Sequence, residues 1–92
     1  MLTIESMNKI VYGDQVFHLR RSIYVAVQLL DGVWSHTCSN PDLHGYGLTL
    51  QESLDMFCAD FALCWNEIAC EDDMNLTPAA KRLKQTMKRL VT

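Results

Sequence analysis

The chain has 92 residues, of which 49% are hydrophobic and 21% are charged, and its formal net charge is −3. A chain of this length forms one domain with a modest core, because it buries only about 60 to 65% of its unfolded surface. The composition is typical of a globular domain and excludes an intrinsically disordered chain.

Membrane spans and disulfide scaffolds are not expected. The apolar stretches are a few residues long, far short of the roughly 20 that cross a bilayer, and acidic Glu5 near the N-terminus does not fit a secretory signal. Cys58, Cys64 and Cys70 lie six residues apart within a helical pattern, too far for a bridge, which needs Cα atoms within about 7 Å. Cys38 could pair with at most one of them. We therefore expect reduced thiols in a cytoplasmic protein.

The first half of the chain is predicted to be β-structure. Residues 1–8 show no strong pattern, whereas Ile10 to Tyr12 and Val16 to Phe17 flank Gly13-Asp14 as in a short hairpin. From Ser22 to Leu30 apolar residues alternate with others, which predicts a half-buried strand.

A second hairpin is predicted at Asp31-Gly32, which suits a two-residue type I′ turn. Counting outward gives three opposed pairs: Leu29 with Trp34, Val27 with His36, and Val25 with Cys38. Trp34, His36 and Cys38 then share the apolar face, while Gln28, Ser35 and Thr37 lie on the other.

The second half is predicted to be helical. Ser39 to Asp42 ends the strand, a loop follows through Gly45 and Gly47, and Thr49 to Glu52 matches a capping box. The predicted apolar stripe of the helix comprises Leu50, Leu54, Phe57, Phe61, Cys64, Trp65 and Ile68. The helix should end near Glu71, and a second one should begin at Thr77-Pro78 and run to about residue 90.

Together these elements predict one α+β domain over residues 1–92. We expect a small antiparallel sheet of three to four strands, one long amphipathic helix across one face, and a basic C-terminal helix at about 78–90. The sheet's open edges or exposed face could pair with a second copy or with a partner, or could remain in solvent.

The central half of the chain, Ile23 to Ile68, resembles the HicB-like antitoxins of bacterial toxin-antitoxin pairs. Such domains have a strand, a turn at glycine, a second strand ending in Pro-Asp-Leu-x-Gly, and then Gly-x-Thr-Leu-x-Glu opening an amphipathic helix. The corresponding segments here are Asp31-Gly32, Pro41 to Gly45 and Gly47 to Leu54. This chain departs from the family in having only Tyr46 between its two glycine motifs, and it lacks a recognisable DNA-binding module in its C-terminal third.

The resemblance implies a protein-binding role without catalysis or a cofactor: the domain would bind and neutralise a small ribonuclease toxin or a related partner. Acidic residues and the loop would meet a basic partner. The predicted partner-binding residues are Asp42, His44, Gly45, Tyr46 and Asp55.

Three other functions remain open from the residues. The basic C-terminal helix, with Lys81, Arg82, Lys84, Lys88 and Arg89, could bind nucleic acid, although a solvated face or contacts with the acidic body are the favoured explanation. His36, Cys38 and His44 could be imagined as a metal site, but their spacing favours a core histidine and a buried thiol. Catalysis by a cysteine is disfavoured because Cys64 falls on the buried stripe.

Overall fold

The computed structural model describes all 92 residues, as one antiparallel sheet followed by two helices, and the predicted α+β fold is confirmed. The strands are β1 (Leu2–Tyr12), β2 (Gln15–Leu30), β3 (Val33–Ser39) and β4 (Asp42–Gly47), in the order β1-β2-β3-β4. The helices are α1 (Leu50–Cys64), continued by a π-helical turn (Trp65–Ala69), a 3₁₀ turn (Asp73–Asn75) and α2 (Pro78–Leu90).

The first hairpin is much longer than the sequence indicated. Its turn lies at Gly13-Asp14 as predicted, but β1 already begins at Leu2 and β2 is continuous over 16 residues. The pairing register shifts between Met7 and Lys9, where β2 contributes more residues than β1. Such an irregularity bends a strand pair, which lets the tip of this hairpin reach the helices.

The second hairpin turns at Asp31 and Gly32, with φ of 52° and 78° respectively. Two consecutive positive φ angles are the mark of a type I′ turn, so this prediction is confirmed. The predicted pairs Leu29–Trp34 and Val27–His36 are present. The pairing of β2 with β3 ends at Ala26–Thr37, so the third predicted pair, Val25–Cys38, lies one position beyond it.

The segment after Pro41 forms the fourth strand, so the predicted loop through Gly45 and Gly47 is wrong. Ser39 pairs with Asp42 across a two-residue turn at Asn40-Pro41, whose peptide bond is cis. The glycines permit a very close helix above them. A Cβ built on Gly45 would lie 2.3 Å from the backbone nitrogen of Phe57, and one on Gly47 would lie 2.5 Å from Cβ of Glu52.

Helix α1 begins with the predicted cap, in which the Thr49 hydroxyl accepts from the Glu52 amide at 3.1 Å. The Glu52 carboxylate accepts from the amide of Leu48, one residue before the cap, at 2.8 Å. The buried stripe is rotated from the predicted one: Leu50 is 48% exposed, whereas Ser53 is fully buried. The tight approach over the glycines explains this, since only a small side chain fits there.

One core joins the sheet to both helices. Its largest fully buried apolar side chains are Ile10, Ile23, Val25, Leu43, Phe57, Phe61, Met87 and Leu90. The hairpin tip enters this core through Phe17, whose ring centroid lies 5.1 Å from that of Phe61 and 5.9 Å from that of Trp65.

The C-terminal helix begins and ends at defined contacts. Its predicted cap is present, because the Thr77 hydroxyl accepts from the Ala80 amide at 3.1 Å. At its end Val91 bridges Leu19 of β2, and the Thr92 amide donates to the His18 carbonyl at 2.9 Å. No helix of the chain is long and apolar enough to cross a bilayer.

Candidate functional site

The largest surface depression is an apolar cleft of about 520 Å³ between β4 and α1. His44 and Tyr46 of β4 form one wall, and Met56 and Leu63 are exposed apolar residues on the other. Tyr12, from the tip of the first hairpin, closes one end. The cleft is thus built from three elements of the fold, and ligand-binding surfaces are usually formed in advance by such elements.

The cleft runs along a sheet edge, because β4 has no strand beyond it. The backbone amide of His44 donates to the Asp60 carboxylate of α1 at 2.9 Å. Because this amide already donates to the helix, it is not free to donate a hydrogen bond to an added strand. We therefore expect a partner to bind through side chains in the cleft rather than by extending the sheet.

Four of the five predicted partner-binding residues lie exposed around this cleft. His44 and Tyr46 line it, and their rings lie parallel, with centroids 6.3 Å apart. Asp42 pairs with His44 at 2.9 Å, and Asp55 lines an adjoining depression with Tyr46. Gly45 is not on this surface: it is buried beneath α1, and its role is to admit the helix rather than to touch a partner.

The charge around the cleft is acidic. Asp60 lines the cleft itself, and Glu52 and Asp55 line the adjoining depression. Neither depression is lined by lysine or arginine. An apolar groove with carboxylates and no cation attracts a partner that presents apolar side chains next to basic ones.

Sequence reasoning missed the two most prominent apolar residues of the cleft, Met56 and Leu63, which are 55% and 53% exposed. The sequence does contain a pattern that indicates this surface. Met56, Ala59 and Leu63 are spaced i, i+3 and i+7, so they form a second apolar stripe on α1. The apolar periodicity of α1 predicts one buried face, whereas this second stripe faces the cleft.

His36 and Ser53 form a buried polar pair that resembles part of a hydrolase site but has no access to substrate. His36 Nδ1 lies 2.5 Å from Ser53 Oγ, which donates to the Gly45 carbonyl at 3.4 Å. His36 is 2% exposed and Ser53 is fully buried, so the pair satisfies polar atoms within the core. The prediction of a core histidine is thereby confirmed. Burial lowers the pKa of His36, an effect that the carboxylate of Glu5 opposes.

The cysteines are free, and two of them, Cys58 and Cys64, are poor nucleophiles. Burial raises the pKa of Cys58 and of Cys64, and for Cys64 the carboxylates of Asp60, Asp42 and Glu67 raise it further. A raised pKa lowers the fraction of reactive thiolate at neutral pH.

The residues considered for a metal site are separated by the sheet. His36 and Cys38 point into the core, whereas His44 pairs with Thr37 and lies on the opposite face. No three histidine, cysteine, aspartate or glutamate side chains are arranged to hold a metal ion.

Two of the five basic residues of α2 make contacts within the chain. Lys84 donates to the Glu71 carbonyl and forms an ion pair with Asp73 at 3.0 Å. The Lys88 ammonium lies 5.5 Å from the centroid of the Trp65 ring, as in a cation–π contact. These contacts anchor α2 and leave fewer cations for phosphate groups.

A comparison of the chain with known protein families, with curated proteins and with solved structures found no match. The resemblance to HicB-like antitoxins therefore stays a prediction, and the functional interpretation is based on the geometry and charge of the cleft.

Proposed function

We propose that this protein is a non-catalytic, cytoplasmic protein-binding domain that holds a basic partner protein in the cleft between β4 and α1. The specific form suggested by the motifs from Pro41 to Leu54 is a HicB-type antitoxin that masks a small ribonuclease toxin. The observation that carries the proposal is the cleft itself, an apolar groove of about 520 Å³ with a carboxylate in its wall.

The chemistry of the cleft favours a protein over a small polar substrate. Met56 and Leu63 are each about half exposed and would lose that apolar surface to a partner side chain. Binding hot spots have this character, with an apolar or aromatic anchor entering a pocket and polar groups around it. Tyr12 and Tyr46 supply the aromatic part of such a pocket.

The carboxylates select the partner by charge. A ribonuclease surface that binds RNA carries lysine and arginine, and these groups would be neutralised by Asp55 and Asp60. Charge attraction at an exposed rim is screened by salt, so the association rate should fall as ionic strength rises.

The test is co-expression with the product of the adjacent gene. We expect that this neighbour alone arrests growth, that co-expression relieves the arrest, and that the two proteins purify as a complex. Lysine at either cleft position, Met56→Lys or Leu63→Lys, should weaken the complex by more than about tenfold, as expected for a hot-spot residue. Met74→Lys is the matched control, because Met74 is 87% exposed and lies in the 3₁₀ turn away from the cleft.

Two results would count against the proposal in different ways. If the neighbour neither binds nor is neutralised, the antitoxin form has to be abandoned. If it binds equally well to the Met56→Lys, Leu63→Lys and Met74→Lys variants, the cleft is not the binding surface.

A further inference from the structure

One face of the sheet is covered by no other element. Helix α1 packs on the side that carries Val25, Val27 and His36, and the opposite side is open. We call this opposite side, between the Asp31-Gly32 turn and the register shift at Met7, the open face. It carries Leu2, Ile4, Ser6, Tyr24, Ala26, Gln28, Leu30, Val33, Ser35, Thr37, Ser39, Asp42, His44 and Tyr46.

Strand β1 directs its apolar residues towards this open face. Ile4 pairs with Ala26 and Leu2 pairs with Gln28, so both lie on the uncovered side. Thr3 and Glu5 lie on the side that carries the helix. A strand packed only on its own core shows the reverse arrangement, with apolar residues towards the helix. The pattern of β1 therefore indicates a second apolar contact on the open side.

The open face exposes an unusual amount of apolar surface for so small a chain. Ile4 is 63% exposed, Tyr24 69% and Leu30 62%, and Leu2, Val33 and Tyr46 are also exposed. Six such side chains present roughly 600 Å² in all, at the upper limit of the largest apolar patch on a typical monomer. A standard protein interface buries about 800 Å² on each partner, so the face with its intervening polar residues is large enough for one.

The open face is also nearly free of charge. It carries no lysine or arginine, and its one carboxylate, Asp42, pairs with His44 at one corner. The chain as a whole has eleven acidic and eight basic residues. In a two-fold symmetric interface each side meets an identical patch, so a charged patch would repel itself and a neutral one does not.

We propose that the open face is the interface of a homodimer, in which the sheets of two copies pack face to face as a β-sandwich. Sheets that pack in this way lie about 10 Å apart and interdigitate their facing side chains. Serine and threonine hydroxyls of β3 lie between the apolar positions and form the polar part of the contact. This proposal concerns a surface distinct from the cleft wall on α1 and does not depend on the proposed function.

The test is the molar mass of the purified full-length protein, measured by sedimentation velocity from about 1 µM to about 500 µM. We expect a concentration-dependent shift from the 10.5 kDa monomer to a species of about 21 kDa. Ile4→Lys and Tyr24→Lys each place a charge on the face and should raise the dissociation constant more than about tenfold. Leu30→Lys is a further variant for the case in which one of these fails to fold, as judged by circular dichroism.

The matched control is Met74→Lys, an exposed methionine in the 3₁₀ turn that lies outside the sheet, and it should dimerise like the wild type. A wild-type protein that stays monomeric throughout the range would overturn the proposal. Dimerisation that is unaffected by lysine at Ile4, Tyr24 and Leu30 would also overturn it and would indicate pairing through a sheet edge. The same holds if Met74→Lys weakens the dimer as much as these variants do, because the effect of lysine would then not be specific to the open face.

Discussion

Gly45→Ala tests the close approach of α1 to β4, on which the position of the cleft depends. An added Cβ would lie 2.3 Å from the Phe57 nitrogen, 2.4 Å from the Ser53 carbonyl oxygen and 2.7 Å from the Phe57 Cα. All three are backbone atoms of a helix, so no side chain can rotate away. The helix would have to retreat by about 1 Å to restore ordinary contact.

The expected cost follows from that displacement. Overpacking of a core costs about 1 to 3 kcal/mol, and a gap of about 1 Å also removes up to half of the dispersion energy of each affected contact. We expect a loss of about 3 kcal/mol, a large part of the roughly 5 to 14 kcal/mol that stabilises a domain of this size. The melting temperature should fall by about 12 °C or more.

The sign of the change in the free energy of unfolding shows whether the helix is in close contact with Gly45 or leaves room for a methyl group. Gly45 has no positive φ, so without the close contact alanine would stabilise the protein by about 0.4 to 1 kcal/mol, by reducing the entropy of the unfolded chain. Equilibrium urea unfolding followed by tryptophan fluorescence measures the free energy directly.

Gly13→Ala is the control, because its Cβ would meet nothing within 4 Å and only the strain of φ +60°, about 1 kcal/mol, should appear. A Gly45→Ala protein as stable as the wild type, or more stable, would refute the packing described for β4 and α1.

Two further predictions concern local contacts. Thr49→Ala removes the hydroxyl that caps α1 and should cost about 1 kcal/mol of unfolding free energy in urea titrations, whereas Thr49→Ser should cost much less. The lowered pKa of His36 means that the unfolded chain, with a histidine pKa near 6.5, binds the proton more readily than the folded protein. Stability should therefore be complete above about pH 7.5 and fall as the pH drops through 6.5 towards the lower folded pKa. Unfolding measured at about pH 7.5 and 5.5 should show this loss, and His36→Gln should reduce it; an unchanged slope in that variant would exclude His36 as its source.

The parts of the fold that were predictable are those fixed by local chemistry. The turn at Asp31-Gly32 depends on the φ angles of two residues, and it also sets the pairing of Val27 with His36. The caps at Thr49 and Thr77 depend on a hydroxyl three residues before an amide. Such features need no knowledge of distant segments.

The errors arose where distant contacts decide the structure. Local sequence predicts a loop at Gly45 and Gly47, although both lie in a strand and are small because a helix packs on them. Leu2 and Ile4 carried no recognisable strand pattern, because their apolar side chains point to the open face rather than to the core. The cleft was not predicted because Met56 and Leu63 lie on a second apolar stripe of α1. The prediction assigned only one apolar face to this helix, the face that packs on the sheet.

The two proposed surfaces meet at β4, where His44 and Tyr46 line the cleft and also belong to the open face, and this has a consequence for stoichiometry. The open face is formed by the outer side of the sheet, whereas the apolar wall of the cleft belongs to α1 on the inner side. A dimer formed through the open face would therefore leave the two α1 walls, with Met56 and Leu63, exposed to partners, and we expect a complex with two copies of each protein. The variants then report separately: Met56→Lys should leave the dimer intact while releasing the partner, and Ile4→Lys should yield a one-to-one complex that still binds through its cleft. If Ile4→Lys abolished partner binding altogether, the partner would contact the open face, and the two surfaces could not be assigned to different proteins.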